Sequence, residues 1–285
     1  MPGDPAALVL GTERGGDPEA VAEMRALLGL DQSLMTQYVD WFKNVLQFDF
    51  GQSLFRNTEV TQFIIDSFPK TLELALAAII IASIIGIPLG VIAAVKRGGY
   101  IDLTVSTIAA TGIALPVYVT GTFFILLFSF YFEILPASGY VEFSADPIGH
   151  LTRLLLPAVT VALPLAASIA RMTRSSMLEV LSKDFVQTLR AKGLSERKVI
   201  FKHTLRNAII SVITVIGLEL GNLIGGTVLV EFLYNWPGLS TLLVDAVSNR
   251  DYPIIQACII VIAAFYIFIN RFVEIIYGLM DPRTR

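Results

Sequence analysis

Two stretches of this sequence, Leu74–Val95 and Leu103–Phe132, contain no charged residue at all. A chain in water cannot leave so much apolar surface uncovered. In a bilayer, a helix of ~20 apolar residues spans the hydrocarbon core and satisfies its own backbone hydrogen bonds there. Three further stretches have the same character, so five spans are expected, at about 71–95, 103–132, 152–171, 207–232 and 253–278. The chain as a whole is 54% hydrophobic and only 16% charged, against about 25% charged in soluble domains. Pro88, Pro116, Pro157 and Pro164 fall inside spans, where bundle contacts can re-satisfy the backbone groups that proline frees. The fold class expected is an all-α, polytopic membrane helix bundle.

The connections give the orientation, because lysine and arginine concentrate on the cytoplasmic side. Between the third and fourth spans, residues 171–206 carry nine bases against three acids. The 96–100 turn carries Lys96 and Arg97, and the C-terminal tail carries Arg283 and Arg285. Loops 133–151 and 233–252 hold Arg250 as their sole lysine or arginine. One alternating arrangement fits, with 96–100, 172–206 and the C-terminus inside. Residues 1–70 then form an extracytoplasmic segment, ahead of a transmembrane domain at 71–285. Segment 1–69 has ten acids and four bases, which suits the outside, but it has no basic n-region or apolar h-region to lead it across. A preceding transmembrane helix is therefore expected. Helical spacing of apolar residues in Val21–Leu30 and Met35–Leu46 predicts small surface helices, with apolar stripes resting on the bundle or the membrane interface.

A net charge of −3 gives no basic field for nucleic acid. Cys258 is the single cysteine, placed in an apolar run as a small buried side chain, and His150 and His203 lack ligand spacing. No metal or cofactor is expected. There is no G-x-x-x-x-G-K-[ST] loop, so nucleotide hydrolysis is expected on another polypeptide and the chain is not read as an enzyme.

The segment Asp184–Asn207 reads as two short amphipathic helices broken at Gly193, with Ser195 placed as the second helix's N-cap and Lys198 in the third position after it. Basic residues alternate with Val186, Leu189, Val199 and Ile200. A plain connection could be far shorter, so this helix pair wants a partner surface or a headgroup layer.

That segment, Arg-Ala-Lys-Gly193-Leu-Ser-Glu-Arg followed by His-Thr-Leu-Arg-Asn-Ala, resembles the cytoplasmic "EAA" loop of ABC importer permeases, and its wording is similar to the dipeptide/oligopeptide branch. The likeness extends to Pro2-Gly-Asp-Pro-Ala6, Leu72-Glu-Leu-Ala75, Gly86-Ile-Pro-Leu-Gly90, Leu135-Pro-Ala-Ser-Gly139, Trp236-Pro-Gly-Leu239, Asp251-Tyr-Pro253 and Asp281-Pro-Arg283. It departs from the EAA pattern at Gln187, Thr188 and Leu189, none of which is Glu or Ala, and Met1 stands where the family's first helix should have just ended. The resemblance implies a type I importer permease with five spans here and six when complete, in the inner membrane with its C-terminus cytoplasmic. Its implied partners are a homologous second permease, two ABC ATPase subunits or domains, and an extracytoplasmic substrate-binding protein. The ATPase-coupling set would be Val186, Gln187, Leu189, Arg190, Ala191, Lys192, Gly193, Leu194, Ser195 and Val199. Its relatives are associated with dipeptides, oligopeptides, glutathione and nickel.

Other residues carry readings from their position. Glu219 lies near the middle of the fourth span, where an ionised group costs at least a few kcal/mol unless it faces water or a partner. With Asn222 it is a pathway candidate, set against a structural interhelical carboxylate. An ion-coupled secondary transporter using Glu219 is the alternative to the ATP-driven importer. Gly217, Gly221 and Gly225 make small-xxx-small pairs that favour close helix packing. Arg271 and Glu274 are spaced to pair. Residues 233–252 are too apolar for an open loop and predict a short helix after Pro237. Trp236, Pro237 and Gly238 are candidates for an outer gate, with Trp236 and Tyr252 alternatively read as aromatic-belt anchors.

Overall fold

The computed structural model describes residues 6–280 other than 8, 11–16, 28 and 57, and the backbone alone at 276, 277, 279 and 280. The motifs at 2–5 and 281–283 lie outside the described residues. The chain divides into two compact units, one of residues 1–67 with 242–260, the other of 68–241 with 261–285.

In the first unit, helices α1 (Pro18–Leu27) and α2 (Leu34–Leu46) match the two expected surface helices. Ser33 caps α2, its side-chain oxygen accepting from the Thr36 N–H. Neither helix buries a residue, and Leu34, Met35, Tyr38 and Phe42 of α2 are exposed among the described residues. Asp251 supplies the tie in this unit. Its carboxylate accepts from Ser53 Oγ at 2.5 Å and from the Leu54 N–H at 3.4 Å, both carboxylate and Ser53 being buried.

Helix α3 (Val60–Val95) is longer than the 71–95 span expected, because Pro69 and Pro88 pass within it without ending it. The second expected span is broken. Helix α4 (Tyr100–Ala114) and helix α5 (Val117–Phe124), which continues as a π-helical stretch to Tyr131, are bent by 100°. Leu115 is extended at φ −77, ψ 127, as expected of a residue before proline, and Pro116 starts the second arm. The remaining spans are α6 (Pro147–Leu181), a continuous helix over Glu196–Gly226, and α11 (Tyr252–Met280). Four helices are thus long and apolar enough to cross a membrane, and the bent pair makes a fifth span if counted as one. Within Glu196–Gly226 the turns at Lys198–Thr204 are π-helical, and helix α8 (Leu205–Gly226) follows. Helix α7 (Asp184–Ala191) precedes it, α9 (Val228–Leu233) follows it, and α10 (Leu239–Asn249) is the short helix expected after Pro237.

The core of the second unit forms where α3, α6 and α8 meet. Leu74, Ala78 and Ala82 pack with Leu156, Ala162, Ile169, Val212, Ile224, Tyr234 and Trp236, all buried. Two glycines let α3 and α6 approach. A Cβ on Gly86 would stand 2.6 Å from Ala166 O, and one on Gly90 would stand 2.5 Å from Ala170 O. Lipid gives no hydrophobic drive between helices, so such backbone-close packing is what holds them. The glycines of α8 work the same way on α11. A Cβ on Gly217 would meet Val273, one on Gly221 would meet Tyr266, and one on Gly225 would touch Ile262.

Candidate functional site

The helix pair around Gly193 is built as a rigid corner. Helix α7 ends in a Schellman turn: the Gly193 N–H donates to Arg190 O at 2.9 Å and the Leu194 N–H to Leu189 O at 3.3 Å. That turn needs Gly193 at φ +78, a conformation costly for other L-residues. The space around it is open, with nothing within 4 Å of an added Cβ, so this glycine serves the turn rather than a close approach. The next helix begins at Ser195, whose carbonyl accepts from the Lys198 and Val199 N–H groups. Across the corner the Arg190 guanidinium grips Glu196 with two bonds, 2.7 and 3.2 Å long. Both side chains are largely exposed, so this bridge contributes less than about 1 kcal/mol and acts mainly on the angle.

Val186 and Val199 are fully buried within the chain. One lies on α7 and the other in the helix that follows the corner. The helix after the corner packs through Ile200 and Leu205 on a buried cluster of Val91, Ala94, Met177, Val180 and Ala208. Gln187, Arg190, Ala191, Lys192, Gly193 and Ser195 are exposed, while Leu189 and Leu194 are half-buried. The apolar groups presented outward are Phe185 and Phe201, which the alternation of bases and aliphatics had concealed. One of the nine bases is also committed internally. Arg174 Nε and Nη2 lie 2.6 and 2.8 Å from the carboxylate of Asp102 on α4, and the Gly98 N–H donates to the same group at 3.0 Å.

The residues picked as an outer gate surround a buried carboxylate that the sequence reading passed over. Glu231, wholly buried on α9, accepts from Thr71 Oγ1 at 2.7 Å and Thr227 Oγ1 at 2.9 Å through Oε1. Its Oε2 accepts from the Thr241 N–H at 3.0 Å, at the start of α10. Thr71 Oγ1 in turn accepts from the Leu239 N–H at 2.7 Å. Gly238 is packed so tightly that a Cβ there would stand 2.4 Å from both Glu231 Oε2 and Thr71 Oγ1. Trp236 is fully buried and its Nε1 donates to Lys70 O at 2.9 Å, so it is no belt anchor. Pro237 and Tyr252 are half-buried. A signal for Glu231 did exist: it falls inside the apolar 207–232 stretch, where an ionisable group needs partners.

Around Trp236 sits an aromatic group. Tyr140 meets its ring edge-on at 4.9 Å, His150 at 5.9 Å, and Lys70 Nζ lies 5.2 Å over Tyr140. The His150 ring bridges Val141 O and Glu73 Oε1, each 2.7 Å away. Burial, reinforced by the carboxylates of Glu73 and Glu142, pushes the Tyr140 phenol above its ordinary range.

Glu219 is half-buried and makes no hydrogen bond or ion pair among the described residues; Asn222 is exposed. Because the helix stops at Gly226 and Thr227 begins a new turn, Glu219 lies about two turns from the span's end rather than at its middle. Arg271 and Glu274 pair as their spacing predicts, Nη1 to Oε2 2.7 Å apart. Cys258 is buried. Among the described residues no group of three or more His, Cys, Asp or Glu is placed to hold a metal.

By sequence the chain matches known proteins from end to end. The family described as binding-protein-dependent transport system inner membrane component matches residues 86–285, and the N-terminal model of such membrane components matches 1–75. The chain belongs to this family and is the membrane-spanning permease subunit of an ABC importer. The di/tripeptide transport system permease DppB of Pseudomonas aeruginosa is 42% identical over 305 residues, covering 100% of this chain and 90% of that protein. The dipeptide permease DppB of Escherichia coli K12 is 39% identical over 308 residues, covering 100% and 91%. In fold, the inward-facing MetNI methionine ABC transporter aligns with TM-score 0.63 at 18% identity, over 77% of this chain and 97% of that one. An amino acid ABC transporter aligns at TM-score 0.51 and 17% identity, over 78% and 94%. Nothing in the family or these neighbours supports the ion-coupled reading built on Glu219.

Proposed function

We propose that this subunit forms half of the translocation pathway of a short-peptide importer and couples it to a separate ATPase through the Gly193 corner. The relatives named as dipeptide and di/tripeptide permeases, about two-fifths identical from end to end, support the cargo. The coupling role is carried by one observation: the corner packs on the bundle through Ile200 and Leu205, with Val186 and Val199 buried, yet presents Phe185, Phe201, Lys192 and Arg190 outward. A rigid element with exposed aromatics and bases suits a groove on a partner that pushes. The working assembly would contain a homologous second permease, two ATPase subunits or domains and an extracytoplasmic binding protein, with residues 1–70 outside and the C-terminus cytoplasmic. The lysine and arginine distribution favours that orientation.

The test is reconstitution of the chain with candidate permease, ATPase and binding-protein subunits. ATP hydrolysis should rise when dipeptide-loaded binding protein is added, and a cysteine at 192 should cross-link to the ATPase. Hydrolysis indifferent to loaded binding protein, with no cross-link at 192, would remove the proposal.

A further inference from the structure

Helix α4 is held to the bundle by very little. Of its fifteen residues only Asp102 and Ala109 are buried, whereas α6, the helix it lies along, buries seventeen. Ile101, Leu103, Ile108 and Ile113 of α4 are all exposed. A Cβ added at Gly112 would stand 3.5 Å from Ala167 Cβ, an ordinary contact, so the middle of α4 touches α6 without locking on it. In a bilayer no hydrophobic drive presses two helices together.

The firm attachment is Asp102. Its carboxylate accepts from Nε and Nη2 of Arg174 on α6 at 2.6 and 2.8 Å. It also accepts from the Gly98 N–H, in the turn after α3, at 3.0 Å and from the Ser106 hydroxyl at 3.5 Å. A two-pronged guanidinium–carboxylate pair fixes angle as well as distance. Arg174 in turn stands on the part of α6 that meets the corner. One turn further on, Met177 and Val180 belong to the buried cluster on which Ile200 and Leu205 pack, and Val91 and Ala94 bring the end of α3 into it. Gly90 joins those two helices closely, since a Cβ there would stand 2.5 Å from Thr173 Cβ. The corner and the adjoining ends of α3 and α6 thus form one block, and α4 hangs from it by one carboxylate.

We infer that Asp102 and Arg174 are positioning residues for transport: their pair is the latch by which α6 carries α4, so that a push on the Gly193 corner moves the broken second span with it. Without the latch the block would move and α4 would lag, because Ala109 is the one apolar residue of α4 buried in the bundle. Hydrolysis would then continue with little peptide moved. An acid in the first turn suits any helix electrostatically. That role needs no arginine, yet Arg174 commits its guanidinium to this carboxylate. The inference rests on the coupling role proposed for the corner.

The reconstituted transporter tests it through the number of dialanine molecules moved per ATP hydrolysed. Asp102→Asn and Arg174→Gln should each lower that ratio at least about 5-fold, the low end of ordinary coupling between sites. In a Cys258→Ala background, Asp102→Cys combined with Arg174→Cys should be uncoupled to the same degree. Bridging the two thiols with a short bis-methanethiosulfonate should restore the ratio until a reductant cleaves the bridge. The bridge replaces the join without replacing either charge, so a purely local stabilising role would not give that rescue. Ratios within twofold of the unaltered protein in the Asn and Gln variants, with hydrolysis still stimulated by loaded binding protein, would overturn the latch and leave the corner's coupling role standing. A loss that the bridge, verified by mass spectrometry, does not restore would overturn it as well. If hydrolysis by the unaltered transporter ignores dialanine-loaded binding protein, the coupling role of the corner falls and the latch with it.

Discussion

Removing the Glu231 carboxylate should loosen the second unit at one identifiable point. Three donors converge on it, the hydroxyls of Thr71 and Thr227 and the N–H of Thr241. All of Glu231, Thr71 and Thr227 are at or below 1% exposure, so water cannot replace the lost oxygens without opening the structure. In Glu231→Ala the two hydroxyls can rotate toward other acceptors, but the Thr241 N–H cannot. An unsatisfied buried donor costs about 1–3 kcal/mol, and with one N–H orphaned outright and two hydroxyls displaced a loss near the top of that range is expected. Glu231→Gln keeps the shape and one acceptor oxygen, and should lose only about 1–2 kcal/mol. Trp236, buried beside the network, is a local reporter once Trp41 is replaced by Phe. Its emission midpoint in mixed-micelle denaturation should fall far more in the Ala variant than in the Gln variant. At 1.4 kcal/mol per factor of ten, Ala should raise the unfolded population roughly 100-fold. Equal midpoints for Ala and wild type would show that the carboxylate is not holding the turn.

Three further outcomes are expected. Gly217→Val places side-chain atoms where Val273 already stands, since even a Cβ would lie 2.1 Å from Val273 Cγ2, and should cost about 1–3 kcal/mol, read as a lower thermal midpoint of the purified permease. Gly193→Asn should keep uptake because Asn tolerates positive φ, whereas Gly193→Val strains the turn by about 1–2 kcal/mol and should lose peptide uptake with membrane insertion intact; full transport by the Val variant would separate the corner from coupling. Phe201→Ala removes an exposed ring and should leave the permease's thermal midpoint unchanged while lowering dipeptide-stimulated ATP hydrolysis at least severalfold. Undiminished stimulation would mean that the ring makes no contact with the ATPase.

The spans and the Gly193 corner are legible in the sequence because each depends on local chemistry. Apolar length marks the spans, and a glycine between two amphipathic stretches marks the corner. What stays hidden depends on partners distant along the chain. Pro116 looks no different from Pro69, Pro88, Pro157 or Pro164, yet it alone coincides with a 100° break. The second arm finds its own packing: Gly121 lies against Leu233, Thr160 and Tyr234, and the Tyr234 hydroxyl donates to Gly121 O at 3.2 Å. Glu231 is concealed for the same reason, because Thr71 lies 160 residues before it. The burial of Val186 and Val199 could not be read either. An amphipathic helix has an apolar side, but whether the bundle or a partner covers it depends on the rest of the chain.

The continuity of Glu196–Gly226 has a mechanical consequence. The helix that begins at the corner is the same helix that carries the glycine seam against α11, with no loop between them to absorb movement. At 1.5 Å per residue this rod is roughly 46 Å long, so a tilt of about 10° about its middle would carry each end through about 4 Å. A displacement of that size at Glu196 would swing Gly226 the opposite way by as much. A push at the corner would thus reach the far end of the span by leverage, and the close glycine seam against α11 is where the tilt would be felt between them.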